Sequence, residues 1–319
     1  MNSSPCLRIG TRASALARWQ AEWVAARLTE QGTSVELVPI STRGDREQQG
    51  PIGQIVGGDG VFTKELERAL AAGEIDLAVH SLKDLPTAMP PELVLAAVPR
   101  RGPTGDVLVA RRAGSFDELP PGATVGTGSL RRRAQLWHAR PDLRMADIRG
   151  NVDTRLRKVD SGEFDAIVLA EAGLERLGLA GFITEVLPKE LILPAVGQGA
   201  LGVETRADDR RSREAVRVLD DFETRQAVEA ERSMLSELCG GCLAPIGAWG
   251  RREGGHLRLS GVVASSDGRT RLLATGLLAT GAAPDETAAE LGRRVAQALL
   301  AQGAAALVEA CRSADQQRP

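Results

Sequence analysis

Apolar residues in the first half of the chain recur with two alternating periods, and that alternation predicts an α/β build. Leu7–Gly10 reads as a strand, and Ala15–Leu28 as an amphipathic helix carrying Trp19 and Trp23. Val35–Ile40 reads as a second strand, Phe62–Ala72 as a helix and Leu77–His80 as a third strand. Between them Arg43–Gly60 is rich in Gly, Gln and Asp and has no period. It is expected to be a loop, and long loops in compact domains are often functional lids. Apolar runs at Val107–Ala110, Val125–Gly126, Leu143–Ile148 and Ile167–Leu169 predict the strands of a second lobe. Ala71–Leu85 and Asp160–Leu174 share a Gly-Glu-x-Asp turn entering an apolar strand, an echo between two lobes of related build. Any helix-to-strand turn would look similar, so the echo alone leaves that relation open.

Pro-bearing segments near Pro99–Pro103 and Leu193–Gly199 read as hinges. After Leu201–Glu204 and a charged helix to Asp220, the pattern changes. A helix Phe222–Leu238 leads to a Gly-Gly-Cys turn, and alternating runs follow at Ile246–Arg251, Leu257–Ala264 and Leu272–Leu278. A closing helix Glu286–Leu300 completes a small α+β unit. Three domains are expected: residues 1–99 with 200–219, residues 103–194, and residues 222–319. The cleft is expected between the two lobes.

Composition narrows the function classes. A chain of 319 residues with 43% hydrophobic and 26% charged residues has ample core for two or three domains. Lys plus Arg number 40 against 42 acids, a net charge of −2 that argues against a surface built wholly for nucleic acid. Only four of the basic residues are Lys. A GC-rich genome explains much of that bias, but guanidinium forks also suit carboxylate or phosphate recognition. The apolar runs are too short to span a membrane, and Leu7–Gly10 follows the N-terminus with no apolar signal region, so no membrane association is expected. Four Cys at no framework spacing suggest a reducing cytoplasm, and no metal-ligand pattern is present.

Polar and basic residues gather where strands end and helices begin. Thr11, Arg12 and Ser14 follow the first strand, and Ser81, Lys83 and Asp84 follow the third. Thr127, Ser129 and Arg131–Arg133 follow Val125–Gly126, while Arg149, Gly150 and Asn151 follow Ile148, with Arg155 one turn onward. In an open α/β sheet ligands bind beyond the strands' carboxyl ends. Helix N-termini add their free N–H groups to the guanidinium charge, so the pattern suits an anion. Each residue taken singly is as well explained as a cap or a solvated charge. Asp84 is a lone carboxylate among these cations, able to steady a developing cation or ferry a proton, or else simply a packing partner of Lys83 or Arg12. Cys239-Gly-Gly-Cys242 ends a helix, which weakens a redox-pair reading, and no second cysteine pair supports zinc. A reactive thiol on a glycine-freed loop and an inert buried thiol both remain open.

Together these segments strongly resemble the porphobilinogen deaminase (hydroxymethylbilane synthase) family, over nearly the whole chain. The resemblance is carried by IGTRASALARWQ, VFTKELERAL, DLAVHSLKDLP, VGTGSLRRRAQL, DIRGNVDTRL, DAIVLAEAGLERLGL, LPAVGQGALGVE and GGCLAPIG, all in the family's order. It implies two periplasmic-binding-protein-like α/β lobes plus a small C-terminal α+β domain. It implies a dipyrromethane cofactor joined by a thioether to Cys242, on which four porphobilinogen molecules are condensed and released as hydroxymethylbilane. Asp84 is then the catalytic carboxylate. Cofactor contacts are implied for Ser81, Lys83, Asp84, Thr127, Ser129, Arg131, Arg132 and Arg155. Substrate contacts are implied for Arg12, Ser14, Gln20, Phe62, Arg149, Arg155, Arg176 and Gln198. A cytoplasmic monomer that passes its product to uroporphyrinogen III synthase is the expected setting.

The sequence departs from the family in the lid, where Asp59 stands in a Gly-Gly-x-Gly turn that carries Lys in many relatives, with Gln54–Ile55 before it. Cys239 is an uncommon companion to Cys242, and a disulfide between them would block cofactor attachment. Two other classes compete. A non-enzymatic anion-binding protein would fit the lobes but gives Asp84 and the thiol no role. Nucleic-acid binding through Arg131–Arg133 and Arg155–Lys158 lacks interleaved aromatics.

Overall fold

The computed structural model describes residues 6–41, 63–238, 244–279 and 287–316. The expected lid Arg43–Gly60, Phe62, Cys239 and Cys242 lie outside the described residues. The elements begin with β1 (Leu7–Thr11), α1 (Ala15–Glu30), β2 (Val35–Pro39), α2 (Lys64–Ala71), β3 (Leu77–Ser81) and β4 (Leu93–Ala97). They continue with β5 (Asp106–Ala110), β6 (Thr124–Gly126), α3 (Leu130–Ala139), β7 (Arg144–Ala146), α4 (Val152–Asp160), β8 (Ala166–Ala170), α5 (Glu171–Arg176) and β9 (Glu185–Val186). The last are β10 (Leu201–Arg206), α6 (Arg210–Val216), α7 (Phe222–Glu237), β11 (Ile246–Glu253), β12 (His256–Ala264), β13 (Arg271–Leu278), α8 (Ala288–Ala301) and α9 (Ala304–Gln316).

Two compact units divide the chain, Met1–Gly102 with Ala200–Arg225 and Pro103–Gly199 with Gln226–Pro319. The first holds a five-stranded sheet in the order β2-β1-β3-β10-β4, with β1 parallel to β2 and β3, and β10 antiparallel to β3 and β4. The second holds a sheet in the order β7-β6-β8-β5-β9 with the same senses, β6 parallel to β7 and β8, and β5 antiparallel to β8 and β9. The two lobes are therefore one topology used twice, and the sequence echo marks the same device in both. Asp76 donates its N–H to Arg8 O (2.8 Å) and accepts Arg8 N–H on Oδ2 (2.9 Å). Asp165 does the same with Thr124, at 3.0 and 2.8 Å. Each clamp follows a glycine in the left-handed region, Gly73 (φ 69°) or Gly162 (φ 81°), where an L side chain is strained. Aspartate suits that place because its short side chain accepts a backbone N–H near the start of the neighbouring strand while its own N–H pairs with the same residue.

Burial explains the near-continuous apolar strands, since parallel sheets are covered on both faces. In the first lobe Leu7, Ile9, Val24, Leu28 and Val79 pack on one face, and Leu66, Leu70, Ile75 and Ala78 on the other. The second sheet is sandwiched likewise, by Leu108, Val125 and Leu136 on one side and Val107, Leu156 and Ile167 on the other. The smaller C-terminal domain is an antiparallel meander β11-β12-β13. Leu257, Leu259, Leu291, Val295 and Leu299 belong to its core, with Met234 of α7. Two carbonyls of edge strand β13 accept side-chain donors, Leu273 O from Gln302 and Leu277 O from Arg294, each at 3.0 Å. Those bonds blunt an apolar edge that would otherwise invite pairing.

Some elements differ from the sequence reading. Strand β4 lies among prolines and was not expected, yet an edge strand tolerates such neighbours. The chain also does not end its folding at Leu300. Helix α9 restarts after Gly303 (φ 100°), and its Val308 and Cys311 are buried.

Candidate active site

Parallel strands present their carboxyl ends on one edge of each sheet, and most of the expected site residues sit on those edges. In the first lobe, Ser14 caps α1 by accepting Ala17 N–H (3.3 Å), which leaves Arg12 half-buried at the end of β1. Gln20, 2% exposed, donates to Ser81 Oγ at 2.7 Å and so ties α1 to the end of β3. The chain then makes a 3₁₀ turn over Leu82–Asp84. Leu82 and Leu85 are buried and Leu82 N–H bonds Ala200 O (3.0 Å), so the turn is anchored by its apolar residues. Lys83 is left half-buried and Asp84 exposed. Behind the turn, His80 Nε2 meets Glu204 Oε2 at 3.1 Å in a fully enclosed pair.

In the second lobe, Ser129 caps α3 by accepting Arg132 N–H, and buried Thr127 Oγ1 accepts Ser129 N–H at 3.2 Å. The arginine run that follows is not a solvated face. Arg131 and Arg132 are 5% and 7% exposed, and both bind Asp106, which opens β5 and is wholly buried. Arg131 Nη1 and Nη2 fork onto Asp106 at 2.7 and 3.1 Å, and Arg132 Nε reaches it at 2.8 Å. Arg131 also donates to Leu193 O and Arg132 to Val168 O. Arg133 pairs with Asp147. Burial alone would raise the Asp106 carboxyl, but the charges and hydrogen bonds of Arg131 and Arg132 outweigh it and hold Asp106 well below the usual carboxylate range.

Gln198 joins the same node. Its Nε2 lies 3.0–3.2 Å from Thr104 O, Gly105 O and Asp106 Oδ1. Flanking glycines 197 and 199 adopt positive φ, and Glu231 of α7 fixes Gly197 N–H at 2.7 Å. Thr127, Arg131 and Gln198 are thus turned into the lobe's own framework, whereas Arg149 is exposed and Arg155 and Arg176 are half-buried.

Arg155 is the informative cation. Its Nε donates to Gly150 O (2.8 Å), and it has no carboxylate partner among the described residues. Burial, reinforced by the nearby Arg132 charge, pushes its guanidinium down to about 10. Arg176 donates to Gly199 O at 2.6 Å and is likewise pushed down to about 10, chiefly by burial. Cations held at such a cost are stabilised by an arriving anion, so this edge suits a ligand bearing several carboxylates.

Asp106, the His80–Glu204 pair and Glu231 were missed by sequence reading. The available signal was an acid within an otherwise apolar strand, at Asp106 and Glu204. Among the described residues no group of His, Cys, Asp and Glu is arranged to hold a metal ion, and no helix is long and apolar enough to cross a membrane.

Residues 7–214 match the family model described as porphobilinogen deaminase, dipyromethane cofactor binding domain, and residues 225–301 match porphobilinogen deaminase, C-terminal domain. The porphobilinogen deaminase of Pelotomaculum thermopropionicum is 50% identical over 308 residues, 96% of this chain and 97% of that one. That of Syntrophotalea carbinolica is 49% identical over 304 residues, 95% of each chain. Among solved structures, the methionine-binding protein MetQ gives a TM-score of 0.45 at 16% identity, covering 70% of this chain and 94% of that one. A periplasmic substrate-binding protein from Coxiella burnetii gives 0.43 at 13%, covering 71% and 96%. The two-lobed α/β assignment rests on this chain's own sheet orders. With both domain models and full-length relatives in agreement, the chain belongs to the porphobilinogen deaminase family.

Proposed function

We propose that the chain is a transferase that deaminates four porphobilinogen molecules, joins them head to tail on a dipyrromethane primer and releases hydroxymethylbilane by hydrolysis. The observation that carries this reading is Arg155, a half-buried guanidinium beside Arg132 with no carboxylate partner among the described residues. A pyrrole substrate that brings an acetate and a propionate supplies the missing charge, and a growing chain needs many such cations.

The residues present fit a dipyrromethane on the same ground, because Arg132 and Arg155 lie close enough to repel one another. Cys242 is the proposed attachment point through a thioether, and Ser81, Lys83, Asp84, Ser129, Arg132 and Arg155 are proposed to hold the group. When bound, it supplies the pyrrole nucleophile to which each new unit is added. Asp84, exposed beyond β3 on a turn anchored by buried leucines, accepts pyrrole N–H bonds and stabilises the cation left when porphobilinogen loses ammonia. Arg12, Ser14, Gln20, Arg149 and Arg176 take the substrate carboxylates, with Phe62 against the rings. Thr127, Arg131 and Gln198 act from behind, through Ser129 and Asp106.

The proposed domains are residues 1–99 with 200–219, 103–194 and 222–319. The proposed setting is a cytoplasmic monomer that passes hydroxymethylbilane to uroporphyrinogen III synthase. Incubation with porphobilinogen tests the reaction: four ammonia released per hydroxymethylbilane are expected. Porphobilinogen that binds without losing ammonia would sink the proposal and leave an anion-binding protein.

A further inference from the structure

The first unit carries a groove that the proposed reaction does not use. Its volume is about 580 Å³ and it runs beside β4, the edge strand of the first sheet. Val94, Leu95 and Ala96 form an apolar floor, and Arg210, Arg213, Arg217 and Arg225 line it together with Glu214. Two of these guanidiniums are neutralised locally. Arg225 forks onto Asp220 at 2.7 Å and covers Ala96 O at 3.1 Å. Arg210 pairs with Glu214 at 2.8 Å, but these side chains are 87% and 63% exposed, so the bond is weak and exchangeable.

The other two are not balanced by any carboxylate among the described residues. Arg213 donates to Ala207 O (2.9 Å), and the exposed Arg217 guanidinium has no hydrogen bond or ion pair among the described residues. Arg210, Arg213 and Arg217 recur at i, i+3 and i+7 along α6 and the 3₁₀ turn that continues it, so they share a face roughly 10 Å long. An extended chain places same-side residues about 7 Å apart, so two acids fit that row.

A second observation points to a protein rather than a small anion. Val218 and Phe222, 57% and 65% exposed, are the two most exposed large hydrophobics among the described residues. Val218 adjoins Arg217 in sequence, and Phe222 lies one helical turn before Arg225 on α7. Aromatic residues and Arg are the side chains enriched at protein interfaces, while Lys is depleted. A phosphate or small carboxylate would use the arginines and leave Val218 and Phe222 with nothing to cover them. We infer that this groove docks an acidic segment of a partner protein, its carboxylates on Arg213 and Arg217 and an apolar side chain against Val218 and Phe222.

The test is fluorescence anisotropy of the full-length protein with a short fluorescein-labelled peptide of glutamates interrupted by one Leu and one Phe. The expected result is salt-sensitive binding that weakens at least about tenfold in Arg213→Glu/Arg217→Glu and at least about threefold in Phe222→Ser. Porphobilinogen turnover should be unchanged in all three proteins. If the charge-reversed variant unfolds, Arg217→Ser reads the same point, since its guanidinium has no described bond to lose. Absence of binding to the wild type, or equal affinity in the variants, overturns the inference. Displacement by tripolyphosphate together with indifference to Phe222→Ser also overturns it and assigns the groove to a small anion.

Discussion

Replacing Asp106 by Asn removes the one carboxylate that Arg131 and Arg132 share while keeping the side chain's shape. Asp106 is wholly buried, and both arginines are under a tenth exposed, so water cannot take its place. Breaking a buried pair by removing one partner typically costs about 3–5 kcal/mol, because the remaining charges stay desolvated and unopposed. At about 2–4 °C per kcal/mol, the transition of the unit containing β5 and α3 is expected to fall by about 6–20 °C. The assay is differential scanning calorimetry of wild type and Asp106→Asn across pH. Folding depresses the Asp106 carboxyl below its unfolded value of about 3.9. Its stabilisation is therefore fully present above that pH and is lost as pH falls further toward the folded value. The gap between the two proteins should stay constant from neutral pH down to about 4 and narrow below it. A drop worth under about 1 kcal/mol, or a gap that already closes near pH 6, would refute the assignment of Asp106 as the anionic keystone of this lobe.

Other substitutions separate framework from site. Asp84→Asn should leave the melting temperature unchanged, since the side chain is exposed, while turnover of porphobilinogen falls about 10²–10⁴-fold in a steady-state assay. Arg155→Met removes a cation that burial disfavours, so the protein should melt no lower than wild type. Its KM for porphobilinogen should rise about 10–150-fold, the worth of a charged hydrogen bond. Gly292→Ala would bring a Cβ within 2.3 Å of Ala230 O where α8 crosses α7, and should destabilise the C-terminal domain by about 1–3 kcal/mol in chemical denaturation. Oxidised apoprotein should fail to take up cofactor until reductant opens a Cys239–Cys242 bond; equal assembly with and without reductant would count against that disulfide.

Much of the architecture could be read from the sequence because period and turn chemistry act locally. The strands β1, β3, β5 and β8 announced themselves as apolar runs, and the Gly-Glu-x-Asp echo marked the clamps at Asp76 and Asp165. The basic clusters at strand ends were visible for the same reason. What was hidden depends on partners far along the chain. Nothing near Arg131 shows that it turns inward, because Asp106 stands 25 residues away and Leu193 stands 62 away. The His80–Glu204 pair joins strands 124 residues apart, so His80 looks like any strand-end histidine. Strand β4 was masked by its prolines, and α9 by Gly303, which reads as a stop but serves as a corner between two helices.

The most direct test of the central claim is the intact mass of the purified protein beside its Cys242→Ser variant. The account expects the wild type to carry the added mass of two linked pyrroles and the variant to lack it. A wild-type chain that is unmodified and gains no adduct when given porphobilinogen under reducing conditions would contradict it.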